Sequence, residues 1–175
     1  MKLKKNEIIL IDSLHGLYPA FSKDIPNDVK FKLFLEPILQ MKDKNNKYIQ
    51  WTDIRLMRRM LRDSIHRAYN PLQTLEHWHY VRASELRNII PYAKSADFII
   101  NSAMPYELSL YKSKLYSQFK EWKEKFKDNI LKKDAFVRAE RVANFMEEIV
   151  EVEDDSPVPK DSVLREFIGG SSLKY

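Results

Sequence analysis

Apolar positions change their period along the chain, and each change predicts a different element. Ile8–Ile11, closed by Asp12, is a continuous apolar run rich in β-branched residues, the pattern of a buried parallel strand that delivers a polar side chain at its C-terminal end. Ser13 to Pro19 then carries turn chemistry, and Val29–Leu35 alternates as a second strand does. After a polar loop from Lys42 to Lys47, Thr52 or Asp53 is placed to cap a helix running to about His66. Asn70-Pro71 breaks that helix before another helical stretch, and Ala96–Asn101 resembles a third buried strand.

Beyond Ser102 to Pro105 the period becomes helical. Tyr111, Leu115, Phe119, Trp122 and Phe126 recur at three- or four-residue intervals, which predicts a core-facing stripe. A second helix, about Lys133 to Ile149, sets Phe136, Ala139, Val142 or Ala143, Met146 and Ile149 inward. Glu151–Pro159 is an acidic, proline-containing connector, and Asp161 or Ser162 is placed to cap a short final helix that Gly169-Gly170 stops. The expected fold class is α/β, a partial parallel sheet of about three strands with flanking helices and a helix-rich C-terminal half. The expected division is residues 1–150 as the domain and 151–175 as connector, short helix and tail.

Composition narrows the functional classes. With 175 residues and 44% hydrophobic positions, the chain is long enough for one sizeable core. A net charge of +5 favours anionic partners without choosing among them. The absence of cysteine excludes a disulfide framework, a thiolate nucleophile and a cysteine-based zinc site, in keeping with a reducing cytoplasm. The N-terminal apolar stretch is too brief for a signal sequence or a membrane span, so no membrane partner is expected.

The most informative segment is Asp53–Arg67. At about 100° per residue, Arg55, Arg58, Arg59, Arg62 and His66 fall within roughly one third of the helix circumference, with Leu56, Met57, Met60 and Leu61 opposite. Guanidinium groups in such a line suit phosphate oxygens. A solvated basic face, salt-bridged to Asp53, Asp63 or Glu85, has the same periodicity. No helix-turn-helix pattern, zinc-finger spacing or extended lysine run points to base-reading of DNA, while loose RNA binding stays open.

Taken together, Asp12-Ser-Leu-His-Gly-Leu-Tyr-Pro19, Thr52–Asp63 with its Arg-Leu-x-Arg-Arg-x-x-Arg-Asp core, Arg67, Ala96–Ser102, Tyr106-Glu-Leu108 and Leu164–Ser172 with Arg-Glu-Phe-Ile-Gly-Gly-Ser resemble the phosphoribulokinase/uridine kinase family, and most closely its larger bacterial uridine-kinase-like members. The blocks fall in family order over nearly the whole chain. The resemblance implies a P-loop kinase fold, with Ile8–Asp12 as the Walker-B-like strand and Asp12 near magnesium and the transferred phosphoryl group. An alternative for Asp12 is a carboxylate capping the Ser13–His15 turn. His15 and Gly16 match the family's His-Gly and imply a turn role. Arg59, Arg62 and Arg67 match arginines that contact ATP or substrate phosphates, and Arg55 and Arg58 join them on the candidate phosphate face. Two positions depart from the pattern: Ala68 stands where the family has Gly, and Tyr69 where the uridine kinases proper have Arg.

The chain has three glycines and no Gly-x-x-x-x-Gly-Lys-Ser/Thr, the sequence whose backbone amides cradle phosphates. It reads as the C-terminal half of a kinase domain. The implied function is ATP- and magnesium-dependent phosphoryl transfer to a nucleoside-type hydroxyl, inactive alone, with the rest of the site expected from an N-terminal kinase half or from self-association. The rival is a non-catalytic module binding nucleotide, RNA or protein through Arg55–Arg67. A parallel sheet lacking neighbouring strands is also expected to expose an apolar edge and face.

Overall fold

Helix dominates because the apolar residues recur mainly at three- and four-residue spacing. In chain order the elements are strand β1 (Leu33–Glu36), helices α1 (Trp51–Arg67) and α2 (Pro71–Asn88), strand β2 (Phe98–Asn101), and helices α3 (Glu107–Phe126), α4 (Lys133–Glu147) and α5 (Arg165–Ile168). This computed structural model describes residues 3–174. The chain divides into two units, Met1–Leu35 with Val81–Ile100, and Glu36–Tyr80 with Asn101–Tyr175.

The second unit holds most of the core. The expected stripe of α3 is buried in full, from Tyr111 through Leu115, Phe119 and Trp122 to Phe126. On α4, Ala139, Val142, Ala143 and Met146 are buried as expected, whereas Phe136 is half-buried, and Ile149, also half-buried, lies beyond the end of the helix. These two helices pack along each other, and α1 packs against α3 and α5. Leu56, Met57, Met60 and Leu61 form the inner side of α1 together with Ile54.

Local chemistry sets the helix ends. Asn70 caps α2, its Oδ1 accepting from the Leu72 N–H at 2.9 Å, and Pro71 takes the first helical position, where no N–H is needed. α1 ends on Ala68 in the left-handed conformation, φ 49° and ψ 32°. Gly169 stops α5 with φ 86°, and Ser162 Oγ accepts from the Leu164 N–H at 3.3 Å just before that helix. Asp53, an expected cap, instead turns its carboxylate inward to Arg141.

The strands differ from expectation. β1 and β2 pair in parallel: the Phe98 N–H donates to Lys32 O at 3.2 Å and the Ser102 N–H to Glu36 O at 2.9 Å, so both chains advance four residues in the same direction. Ile8–Asp12 is not a strand. Ile8 and Leu10 are 89% and 86% exposed, because an apolar run becomes a buried strand only beside a hydrogen-bonding neighbour, and none pairs with it among the described residues. The three expected strands are therefore two. The second is also shorter than expected, since Asn27–Val29 forms a single 3₁₀ turn.

The first unit is held by contacts within its N-terminal segment and between that segment and residues 81–100. Tyr18 and Tyr92 meet edge to face with ring centroids 5.5 Å apart, Lys30 Nζ donates to the carbonyls of Ser22 and Ile25 at 2.9 Å each, and Asp97 Oδ2 accepts from the Lys32 N–H at 2.7 Å. Phe31, Leu33, Leu35, Phe98 and Ile99 are exposed, as expected of a parallel pair lacking further strands. No helix among the described residues is long and apolar enough to cross a membrane.

Candidate functional site

The arginines of α1 separate into two sets. Arg55 and Arg58 point toward buried carboxylates. Arg55 Nε lies 3.4 Å from Glu36 Oε2 at the end of β1. Arg58 is enclosed further: Nε and Nη2 donate to Glu107 at 2.8 and 3.1 Å, Nη1 donates to Ser102 Oγ at 3.0 Å, and Nη2 also donates to Ser102 O at 2.7 Å. The Phe167 ring lies 5.0 Å from its guanidinium carbon. Burial opposes the Arg58 charge, yet hydrogen bonds and attraction from Glu107 outweigh it and hold its pKa above the ordinary value. The same cluster pushes the Tyr111 phenol well up, through burial first and Glu107 second. Each guanidinium nitrogen of Arg58 has a protein acceptor, and its plane meets Phe167, so it ties α1 to the start of α3 and to α5.

Arg59, Arg62 and Arg67 form the second set, and they converge on one carboxylate. Asp63 lies four residues after Arg59 and four before Arg67, the spacing that stacks side chains on one helix face. Arg59 Nε is 3.2 Å from Asp63 Oδ2, and Arg62 Nε and Arg67 Nη1 are 3.3 and 3.2 Å from Oδ1. Asp63 is 4% exposed at its side chain, whereas Arg59, Arg62 and Arg67 are 40%, 31% and 61% exposed. A second carboxylate, Glu166 on α5, lies 3.7 Å from Arg62 Nη1. Three cations therefore face two carboxylates, and the surplus is positive. The C-terminal partial charge of α1 helps to hold these cations together, and the Asp63 carbonyl accepts the closing N–H groups of Ala68 and Tyr69.

Such an arrangement can bind an anion. Asp63 fixes the inner edges of the guanidiniums, and their outer parts face solvent, where phosphate oxygens are suited to guanidinium forks. His66, on the same helix face, has Nε2 3.1 Å from Glu166 O. Of the carboxylates that sequence spacing offered as salt-bridge partners, Asp63 takes this role, Asp53 pairs with Arg141 and Glu85 with Arg82. Glu166 and Glu107 escaped sequence reasoning as partners because they are distant in the chain. The helical spacing of Asp63 from Arg59 and Arg67 was the available signal for its central place.

Asp12, His15 and Gly16 lie in the first unit, and the arginines in the second. Asp12 is exposed and makes no hydrogen bond or ion pair among the described residues. The turn that follows is closed by the Gly16 N–H donating to Ser13 O at 3.1 Å, and the His15 N–H donates to Ser13 Oγ at 3.3 Å. The side chain that caps this turn is thus Ser13. Among the described residues no group of three or more His, Asp or Glu side chains is placed to hold a metal ion. Magnesium is commonly held by one or two carboxylates with phosphates and water, so a lone Asp12 suits only an ion that arrives with its phosphates.

Comparison of the chain with family models, with curated proteins and with solved structures finds no match.

Proposed function

We propose that this chain supplies a phosphate-binding face to a uridine-kinase-like phosphotransferase, in which Arg59, Arg62 and Arg67 hold phosphate oxygens of ATP or of the nucleoside-type substrate. The observation that carries the reading is the convergence of three partly exposed guanidiniums on the buried Asp63, with Glu166 as a further carboxylate beside Arg62. Phosphoryl transfer depends chiefly on positioned cations that meet charge on the transferred group. Arg55 and Arg58 stand outside this contact set, since their partners are Glu36, Glu107 and Ser102. For Asp12 the resemblance alone implies a place near magnesium. The chain carries no Walker A sequence, so binding without turnover is expected from it alone, and the exposed apolar side chains of β1 and β2 support an N-terminal kinase half or a second copy as the complement.

Titration calorimetry with MgATP at low salt tests the proposal. Wild type is expected to bind, Arg62→Ala and Arg67→Ala to bind at least several-fold more weakly without a lower melting temperature, and absence of binding by wild type overturns the site. The second reading, a non-catalytic polyanion-binding module, draws support from the exposed Asp12, which has no hydrogen bond or ion pair among the described residues. It predicts equal binding of ATP with and without magnesium, and of short RNA.

A further inference from the structure

α5 is one helical turn long, and its docking on α1 fixes where Glu166 lies. Phe167 and Ile168 are buried, Phe167 lies against Arg58, and a Cβ built on Gly169 would be 3.9 Å from the Ile65 side chain. With those residues turned inward, Glu166 stands beside Arg62 at 3.7 Å. The two carboxylates of the cluster are unlike. Asp63 is buried and belongs to α1 itself, so it stays with the guanidiniums under any ligand. Glu166 is partly exposed, reaches Arg62 over a longer distance, and is borne on a short helix followed by Gly169 and Gly170 at φ 86° and 73°.

Resting on the phosphate-site reading above, we propose that Glu166 is a displaceable counter-ion that competes with a polyphosphate ligand for Arg62. With Glu166 in place the cluster has three guanidiniums against two carboxylates, a surplus of one positive charge; with Glu166 displaced the surplus is two. A ligand bringing one full charge gains little by displacing a carboxylate from Arg62. Adjacent phosphates bring two or more charges and bidentate oxygens, and exceed what a single long contact from Glu166 offers. A diphosphate or triphosphate chain therefore displaces Glu166 from Arg62, whereas a single phosphate binds with Glu166 in place.

Calorimetric titrations of inorganic phosphate and inorganic pyrophosphate into wild type, Glu166→Gln and Glu166→Asp at low salt test this. Glu166→Gln is expected to tighten pyrophosphate binding by about two- to fivefold, the size of one partly exposed ion pair, and phosphate less, so that the preference for pyrophosphate widens. Glu166→Asp, which keeps the charge, is expected to retain the wild-type affinities, and adding Arg62→Ala to Glu166→Gln is expected to abolish the gain. Pyrophosphate is also expected to speed amide exchange in residues 163–168 of wild type. If wild type binds pyrophosphate and Glu166→Gln leaves both affinities unchanged or weakens them, the competitor role is overturned while the arginine site stands. If neither protein binds pyrophosphate, the arginine site falls, and the competitor role with it.

Discussion

Arg141 grips Asp53 with two hydrogen bonds, Nε to Oδ2 at 2.8 Å and Nη2 to Oδ1 at 2.7 Å, and joins α4 to the first turn of α1. The pair is asymmetric: Asp53 is fully buried, while the Arg141 side chain is 34% exposed. The hydrogen bonds that Arg141 donates to Asp53 hold the Arg141 pKa above its ordinary value, against the opposing effect of burial. Removing the arginine strands a buried carboxylate, whereas removing the carboxylate leaves a guanidinium that reaches water. Arg141→Met is therefore expected to cost about 3–5 kcal/mol, and Asp53→Asn less. Urea denaturation of the two variants checks the order, and equal costs would show that exposure does not govern the pair.

Ala68 gives a prediction of opposite sign. Its φ of 49° lies in the left-handed region, where a Cβ costs about 1 kcal/mol and glycine is the usual residue after a helix. Ala68→Gly is expected to raise the melting temperature by about 2–4 °C for a chain of this size. A fall on calorimetric scanning would mean that the lost unfolded-state entropy of glycine outweighs the relieved strain.

These two sites show what was legible in the sequence. The helices were, because burial of one face imposes a local period: the α3 stripe from Tyr111 to Phe126 and the Asn70-Pro71 break both stand where spacing put them. The strand Ile8–Asp12 was not, because a strand is defined by its neighbour and an apolar run carries no record of whether a neighbour exists. The arginine line divides for a similar reason. Arg55 and Arg59 look equivalent on a helical projection, and only Glu36, far off in the sequence, makes one of them structural. At Ala68 the resemblance implied a glycine, and the left-handed φ found there is one that glycine adopts at lower cost.

Arg58 and Arg67 are expected to respond to alanine in opposite ways. Arg58→Ala strands Glu107, whose side chain is fully buried, so a loss of about 3–5 kcal/mol is expected. Arg67 is mostly exposed and shares Asp63 with two other arginines, so Arg67→Ala is expected within about 0.5 kcal/mol of wild type. Thermal melts of both variants beside pyrophosphate titrations of Arg67→Ala separate the roles. A large stability loss in Arg67→Ala would make the second arginine set structural as well.

Acid sensitivity is expected to concentrate in the connector before α5. Arg165 Nη1 donates to Asp155 Oδ1 at 2.9 Å, and its Nη2 donates to the carbonyls of Asp155 and Val158 at 2.8 and 2.7 Å. Lys114 Nζ lies 3.4 Å from Asp155 Oδ2. The hydrogen bond from Arg165 lowers the Asp155 pKa first, with burial opposing it and Lys114 adding to it. Because the folded value lies below the unfolded aspartate value of about 3.9, the carboxylate contributes its stabilisation fully above that pH. The contribution disappears as pH falls through the lowered folded value, since protonation then favours the unfolded chain. The stability difference between wild type and Asp155→Asn is expected to be constant from about pH 7 to 5 and to shrink below about pH 4. Chemical denaturation of both proteins across that range measures it, and a difference that grows on acidification would mean that Asp155 is not held as its anion by Arg165.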